Sequence, residues 1–125
     1  MTPISVVVCD DVPELRQLLR ECLEVGDEMR VVGEAADGRE AIEVIERLQP
    51  DVVVLDLSMP RLDGLEAIPL IHQIAPKAEI CVFSGFEEGK VADVALRLKA
   101  SRYVRKGAPL EELRSAVRDL ASNAA

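Results

Sequence analysis

The sequence predicts an α/β protein built on a doubly wound, five-stranded parallel sheet of order 2-1-3-4-5 with five helices. Three observations carry that expectation. Short apolar runs rich in β-branched residues alternate with stretches whose apolar residues recur at helical spacing. The runs are apolar throughout, the pattern of strands covered on both faces, which belongs to parallel sheets. Five such β-α repeats fit within 125 residues as one domain, and right-handed crossovers leave few topologies for them.

Ile4–Cys9 reads as the first strand. Leu15, Leu18, Leu19, Cys22 and Leu23 then repeat at i, i+3, i+4, i+7 and i+8, one core-facing stripe of a helix. A second strand is expected at Arg30–Ala35. Asp37-Gly38 leads into a helix carrying Ala41, Ile45 and Leu48, which Pro50 stops. The third strand lies in DVVVLDLSMP, where Val52–Leu55 run into Asp56. The third helix should span Asp63–Ala75, with Pro69 removing one hydrogen bond and kinking or delaying it. Strand four is expected at Glu79–Phe83. The helix after it carries Val91, Val94, Ala95 and Leu98 inward, and Ala92 and Leu96 outward, where they could serve a partner. Lys99 stands near its end, where a Gly cap would be more usual. Arg102–Val104 is the fifth strand, and Leu110, Leu113, Val117 and Leu120 mark the last helix.

Composition excludes several classes. With 23 acidic and 15 basic residues the net charge is −8, so the chain offers no basic groove and should be repelled by nucleic acid. No apolar run reaches membrane-spanning length, and MTPISVVVCDD lacks the basic flank and cleavage pattern of a signal peptide. The expected compartment is therefore the cytoplasm, with no membrane partner. Cys9, Cys22 and Cys81 are odd in number, lack CxxC spacing and sit in apolar segments, so they read as reduced, buried thiols.

A sheet of this kind binds ligands beyond the carboxyl ends of its strands, near the point where strand order reverses. Strand one ends in Asp10-Asp11, strand three in Asp56, strand four in Ser84-Gly85, and strand five runs into Lys106. Three carboxylates in one crevice repel each other. A hard divalent cation relieves that repulsion, and Mg²⁺, with Mn²⁺ as an alternative, suits a site with about two protein carboxylates and several waters. Lys106 adds a compact positive charge opposite. Plainer readings stand beside this one. Asp10-Asp11 could cap the helix that begins near Pro13, and Asp56 could be a loop cap or a salt-bridge partner.

Together these residues resemble the receiver domain of bacterial two-component response regulators, the CheY-like version of the flavodoxin topology. The resemblance rests on Asp10-Asp11, on DLSMPRLDG around Asp56, on Ser84, and on Tyr103 with Lys106 around strand five. VVGEAADGREAIEVIERLQPDVVVLDLSMPRLDGLEA looks most like receivers of the LuxR/FixJ type, which usually carry a C-terminal helix-turn-helix output domain.

The resemblance implies a Mg²⁺-dependent phosphotransfer. Asp56 would accept a phosphoryl group from a phosphohistidine on a histidine kinase or phosphotransfer protein. An ionised carboxylate needs no general base for this, only charge neutralisation on the phosphoryl oxygens, to which Lys106 would contribute. Asp11, Asp56 and the backbone carbonyl of Ser58 would bind the metal directly, and Asp10 mainly through water. Ser84 and Tyr103 would form the switch, the hydroxyl drawing the loop inward and the ring turning towards the core. Residues 1–125 would be one receiver domain with no output domain in the sequence. It would act as a signalling module rather than an enzyme, assisting its own phosphotransfer and dephosphorylation, and would be able to homodimerise on phosphorylation. His72 reads as a solvated helix residue rather than a phosphodonor.

The sequence departs from the family pattern at several positions. Ser84 stands for the commoner Thr, Gly85 for Ala, and Lys99 and Arg102 for Gly. Gly107 replaces a proline that is often cis, so a cis Lys106-Gly107 bond is a hypothesis here, at a cost of about 3 kcal/mol. Three rivals remain. A haloacid dehalogenase-type phosphatase needs an acid two residues after its nucleophile, where Ser58 stands. A flavodoxin needs a Ser/Thr-rich phosphate loop after strand one, which is lacking. A pseudo-receiver, a binding module that takes no phosphate, usually loses part of the acidic set or the Lys.

Overall fold

Each apolar run becomes a strand and each amphipathic stretch a helix. The order is β1 (Ile4–Cys9), α1 (Pro13–Leu23), a 3-10 turn (Val25–Asp27), β2 (Met29–Ala35), α2 (Gly38–Leu48), β3 (Val52–Leu55), α3 (Gly64–Ile74), β4 (Glu79–Ser84), α4 (Lys90–Arg97), β5 (Arg102–Arg105) and α5 (Leu110–Asn123). The computed structural model describes residues 2–85 and 90–123, with the backbone alone for Lys90 and Asn123. Residues 1, 86–89, 124 and 125 of the expected domain lie outside the described residues. All strand pairs are parallel, in the order β2-β1-β3-β4-β5, as the sequence predicts.

Alternation along the strands builds two cores. Val6, Val8, Val52, Val54, Cys81 and Phe83 face α1 and α5, packing on Leu19, Leu23, Leu113 and Val117. Val7, Cys9, Val53, Leu55, Ile80 and Val82 face α2, α3 and α4. Each fully buried Val, Leu or Ile contributes about 1.5–3 kcal/mol through the water it sheds. Side-chain caps set two helix starts. Asp37 accepts from the Glu40 N–H at 2.9 Å, and Asp63 from the Glu66 N–H at 2.8 Å. Each such cap is worth about 1 kcal/mol.

Several expectations need correction. Helix α3 runs from Gly64 to Ile74 with Pro69 inside it and Asp63 and Ala75 as its caps, so the proline does not delay it. Pro69 is exposed, and its missing N–H falls on the solvent side. Leu18 is 46% exposed, and Cys22 is half-buried rather than buried. On α4 two residues exchange places, Ala92 being buried and Val94 exposed. Ala95 is buried, Val91 and Leu98 pack against the core and Leu96 is exposed, as expected. Ala92 and Ala95, three residues apart, share the core-facing side of the helix, which hydropathy alone does not reveal. The Lys106-Gly107 bond is trans, as expected of an ordinary secondary amide. Neither Asp10 nor Asp11 caps α1: the N-cap is Val12, with Pro13 preset at the first helical position.

Lys99 does occupy a glycine-like conformation, at φ 80°. The Lys99 N–H bonds the Leu96 carbonyl and the Ala100 N–H bonds the Ala95 carbonyl, closing the end of α4. His72 is half-buried rather than freely solvated. Its Nε2 lies 2.6 Å from the Lys99 carbonyl oxygen and donates to it, tying α3 to this turn. Cys9 and Cys81 are buried free thiols. Burial raises both pKa values, that of Cys81 to about 12, so neither is a ready thiolate. No helix among the described residues is long and apolar enough to cross a membrane.

Candidate functional site

The register of the central strands decides what meets at the carboxyl edge. Cys9 pairs with Leu55, so the residues that follow, Asp10 and Asp56, emerge side by side. The Asp56 N–H bonds the Cys9 carbonyl at 2.9 Å, carrying the pairing one residue beyond the strands. Strand order reverses between β1 and β3, where a ligand crevice is expected. On the other side Ser84 pairs with Arg105, and the Lys106 N–H bonds the Ser84 carbonyl at 2.9 Å. Backbone pairing thus delivers Lys106 to the same edge.

Asp10 and Asp56 are 1% and 2% exposed, a costly placement for adjacent carboxylates. Each anchors one oxygen on a backbone amide two residues ahead. Asp10 Oδ1 accepts from the Val12 N–H at 2.9 Å, and Asp56 Oδ1 from the Ser58 N–H at 3.0 Å. Both Oδ2 atoms then face Lys106 Nζ, at 2.8 Å for Asp10 and 3.2 Å for Asp56. The ammonium donates a hydrogen bond to Asp56 Oδ2. Asp10 Oδ2, although close to that charge, is buried and accepts no hydrogen bond.

Asp11 completes the group from an exposed position, and the three carboxylates offer oxygens within 4.8 Å of one another. Two charges about 4 Å apart interact by about 4 kcal/mol at the effective dielectric of a protein surface. One ammonium does not balance three such anions. Burial pushes the Asp56 carboxyl above its ordinary range, the Ser58 N–H pulls it back, the Asp10 charge raises it again, and Lys106 offsets part of the rise. Burial alone would lower the Lys106 pKa, but its contacts with Asp10 and Asp56 outweigh that and hold the ammonium charged.

The donor set fits a hard divalent cation. Three carboxylates converge, the Asp10 Oδ2 atom lacks a hydrogen bond, and a cavity of about 330 Å³ lined by Asp11, Asp56, Ser58, Gly85 and Lys106 opens beside them. A second, more apolar hollow of about 520 Å³ adjoins it over Leu57, Met59, Pro60, Leu65 and Val91.

Glycine makes the floor of this site compact. A Cβ at Gly64 would lie 2.6 Å from the Asp56 carbonyl oxygen and 2.6 Å from Leu57 Cα. The start of α3 therefore presses directly on the backbone that carries Asp56, and the Gly64 N–H bonds the Leu57 carbonyl at 3.1 Å.

The structure brings together Asp10, Asp11, Asp56, Ser58 and Lys106. Ser84 is fully buried at the end of β4, in the strand next to β3. Tyr103 lies on β5, paired with Val82, and packs half-buried against the α2–α4 core. His72, on α3, contacts the turn after α4 instead. Like the His72 contact, the approach of Arg16 to this edge has no signal in the local sequence pattern. Arg16, a charged residue on an amphipathic helix, donates from Nη1 to the Asp10 carbonyl at 2.7 Å.

A buried acid pair at the carboxyl edge of a 2-1-3-4-5 sheet, bridged by a lysine, defines a class that comparison with known proteins identifies. The family model of the response regulator receiver domain matches residues 6–118, and the chain belongs to that family. It is a receiver domain of a two-component system, and its relatives include LuxR-type regulators. It is 39% identical over 110 residues to the transcriptional regulatory protein YhcZ of Bacillus subtilis (strain 168), covering 88% of this chain and 51% of that protein. It is 41% identical over 104 residues to a protein-glutamate methylesterase/protein-glutamine glutaminase of Thermotoga maritima, covering 82% of this chain and 30% of that enzyme. A LuxR-family two-component response regulator from Aurantimonas sp. SI85-9A1 superposes with a TM-score of 0.92 at 32% identity, over 97% of this chain and 86% of that one. The chain thus spans about half or less of the curated relatives' length, and the part it matches is the receiver.

Proposed function

We propose that this chain is a phospho-accepting receiver and that Asp56 is its phosphoacceptor. The observation that carries the reading is the convergence of Asp10, Asp11 and Asp56 in one pocket, with Lys106 Nζ 3.2 Å from Asp56 Oδ2. The donor is a phosphohistidine on a histidine kinase or phosphotransfer protein. An Asp56 oxygen attacks phosphorus, the new O–P bond replaces the P–N bond, and the imidazole leaves with the electron pair and takes up a proton. Ionised Asp56 needs no base, and the Lys106 ammonium meets the negative charge on the transferring oxygens. Asp11, Asp56 and the Ser58 carbonyl would hold Mg²⁺ or Mn²⁺, with Asp10 acting through water. The bound ion would neutralise phosphoryl charge.

The added phosphoryl group then acts on Ser84 and Tyr103. The Ser84 hydroxyl donates to a phosphoryl oxygen, and Tyr103, already half-buried against α4-facing core residues, turns further inward. The changed face around α4 and β5 controls a helix-turn-helix output domain or a partner protein, and supports homodimer formation. The domain itself makes no contact with nucleic acid and works in the cytoplasm.

Incubation with acetyl phosphate and Mg²⁺, followed by mass mapping, tests this. The expected result is one base-labile, hydroxylamine-sensitive adduct on Asp56, lost in Asp56→Asn and without Mg²⁺. No adduct in the wild-type chain would contradict the reading and favour a pseudo-receiver. Rapid turnover of many phosphate esters would favour a phosphatase.

A further inference from the structure

The turn that carries Asp10 and Asp11 is held by bonds outside the pocket. The Asp10 N–H donates to the Ala35 carbonyl at 3.0 Å, and Asp10 Oδ1 accepts from the Val12 N–H at 2.9 Å. The remaining backbone group, the Asp10 carbonyl, belongs to the peptide joining the two acids. It accepts from Arg16 Nη1 at 2.7 Å, a short charge-assisted bond.

Arg16 is itself fixed. Its Nε bonds Glu34 Oε1 on β2 at 3.1 Å, and its side chain is only 18% exposed. Glu34 Oε2 is taken by Arg20, through Nε at 3.0 Å and Nη2 at 2.7 Å. Arg20 spends Nη1 on the Val31 carbonyl, also on β2. Two arginines one helical turn apart therefore grip the same carboxylate, but Arg16 alone reaches the acidic turn.

We infer that Arg16, oriented by Glu34, is a positioning residue for the acidic pocket: it fixes the Asp10-Asp11 peptide plane so that both carboxylates point at one cation. The inference rests on the proposed Mg²⁺ site and extends it to residues outside the pocket. A partner that orients a ligating residue typically sets affinity by about 10–100-fold. Charge alone predicts the opposite sign, because removing a cation near the site would tighten Mg²⁺ binding. Lysine separates the two effects. It keeps the charge, but one ammonium on a flexible stem cannot reproduce the planar fork that joins Glu34 to the Asp10 carbonyl.

The test is Mg²⁺ titration of the whole chain followed by amide chemical shifts, with thermal midpoints recorded alongside. Arg16→Ala and Arg16→Lys should each weaken Mg²⁺ binding by about 10-fold. Glu34→Gln should weaken it less. Arg20→Ala should lower the thermal midpoint and leave Mg²⁺ affinity unchanged. The inference is overturned if Arg16→Lys binds like wild type, if Arg16→Ala binds more tightly, or if Arg20→Ala weakens binding as much as Arg16→Ala. Arg16→Lys and Glu34→Gln keep the test decisive where Arg16→Ala folds poorly. A wild-type chain that binds no Mg²⁺ overturns both this inference and the site beneath it, whereas wild-type binding with unaltered variants overturns this inference alone.

Discussion

The two ends of β1 and β3 treat an aspartate in opposite ways. At the amino end, exposed Asp51 Oδ2 accepts from the Ser5 N–H at 2.9 Å and the Ser5 hydroxyl at 3.1 Å, while the Asp51 N–H donates back to Ser5 Oγ at 2.9 Å. Donors and acceptors match, and water reaches the charge. At the carboxyl end, Asp10 and Asp56 lie buried side by side, and Asp10 Oδ2 accepts no hydrogen bond. The same pair of strands thus satisfies an acid fully at one end, and at the other buries two acids against a single ammonium. The buried end is where the proposed cation and phosphoryl group would be held.

Mutations at the two ends should separate these roles. The largest effect is expected at Gly64, whose Cβ would collide with the backbone on both sides of the Asp56-Leu57 peptide. Backbone cannot rotate away as a side chain can, so Gly64→Ala should cost at least about 2–3 kcal/mol in chemical denaturation. It should also slow labelling of Asp56. Normal stability with normal labelling would show that the floor of the site is softer than the structure implies.

Asp51→Ala should cost less, about 1–2 kcal/mol for two lost acceptor contacts at a partly hydrated site, and should leave the rate of Asp56 labelling unchanged. Asp56→Asn carries the opposite sign. Because burial raises the Asp56 pKa, the folded chain holds more protons than the unfolded one above the ordinary aspartate value of about 3.9. Stability contributed by this group therefore falls as pH rises through the window up to the raised pKa, and stays low above it. Denaturation of wild type and Asp56→Asn across pH should show the variant gaining relative stability through that window and remaining the more stable at neutral pH without Mg²⁺. A variant that loses ground instead would mean that the Lys106 pairing outweighs burial.

The acids and the lysine were legible because each interrupts or ends an apolar strand run. A charge at that place has no reason in packing, and the parallel order of the strands puts all of these ends on one edge. Arg16 and His72 were hidden for the converse reason. Polar residues on amphipathic helices are expected to face water, and nothing in local spacing shows that one reaches the Asp10 carbonyl and the other the Lys99 carbonyl. On α4 only Ala92 and Val94 depart from expectation: hydropathy favours burying the valine, and the alanine is the residue that faces the core. Lys99 was flagged by the absence of glycine, and it does adopt the left-handed conformation, at a cost of about 1–2 kcal/mol for a residue with a Cβ.

The most direct test is the shift of the unfolding transition on adding Mg²⁺ to wild type, Asp51→Ala and Asp56→Asn. A ligand bound only to the folded chain stabilises it by about 2.7 kcal/mol at 100 times its dissociation constant. Wild type and Asp51→Ala should gain this stabilisation equally, and Asp56→Asn should gain far less at the same Mg²⁺ concentration. An equal gain in all three, or none in the wild type, would contradict a cation site at the carboxyl ends of β1 and β3.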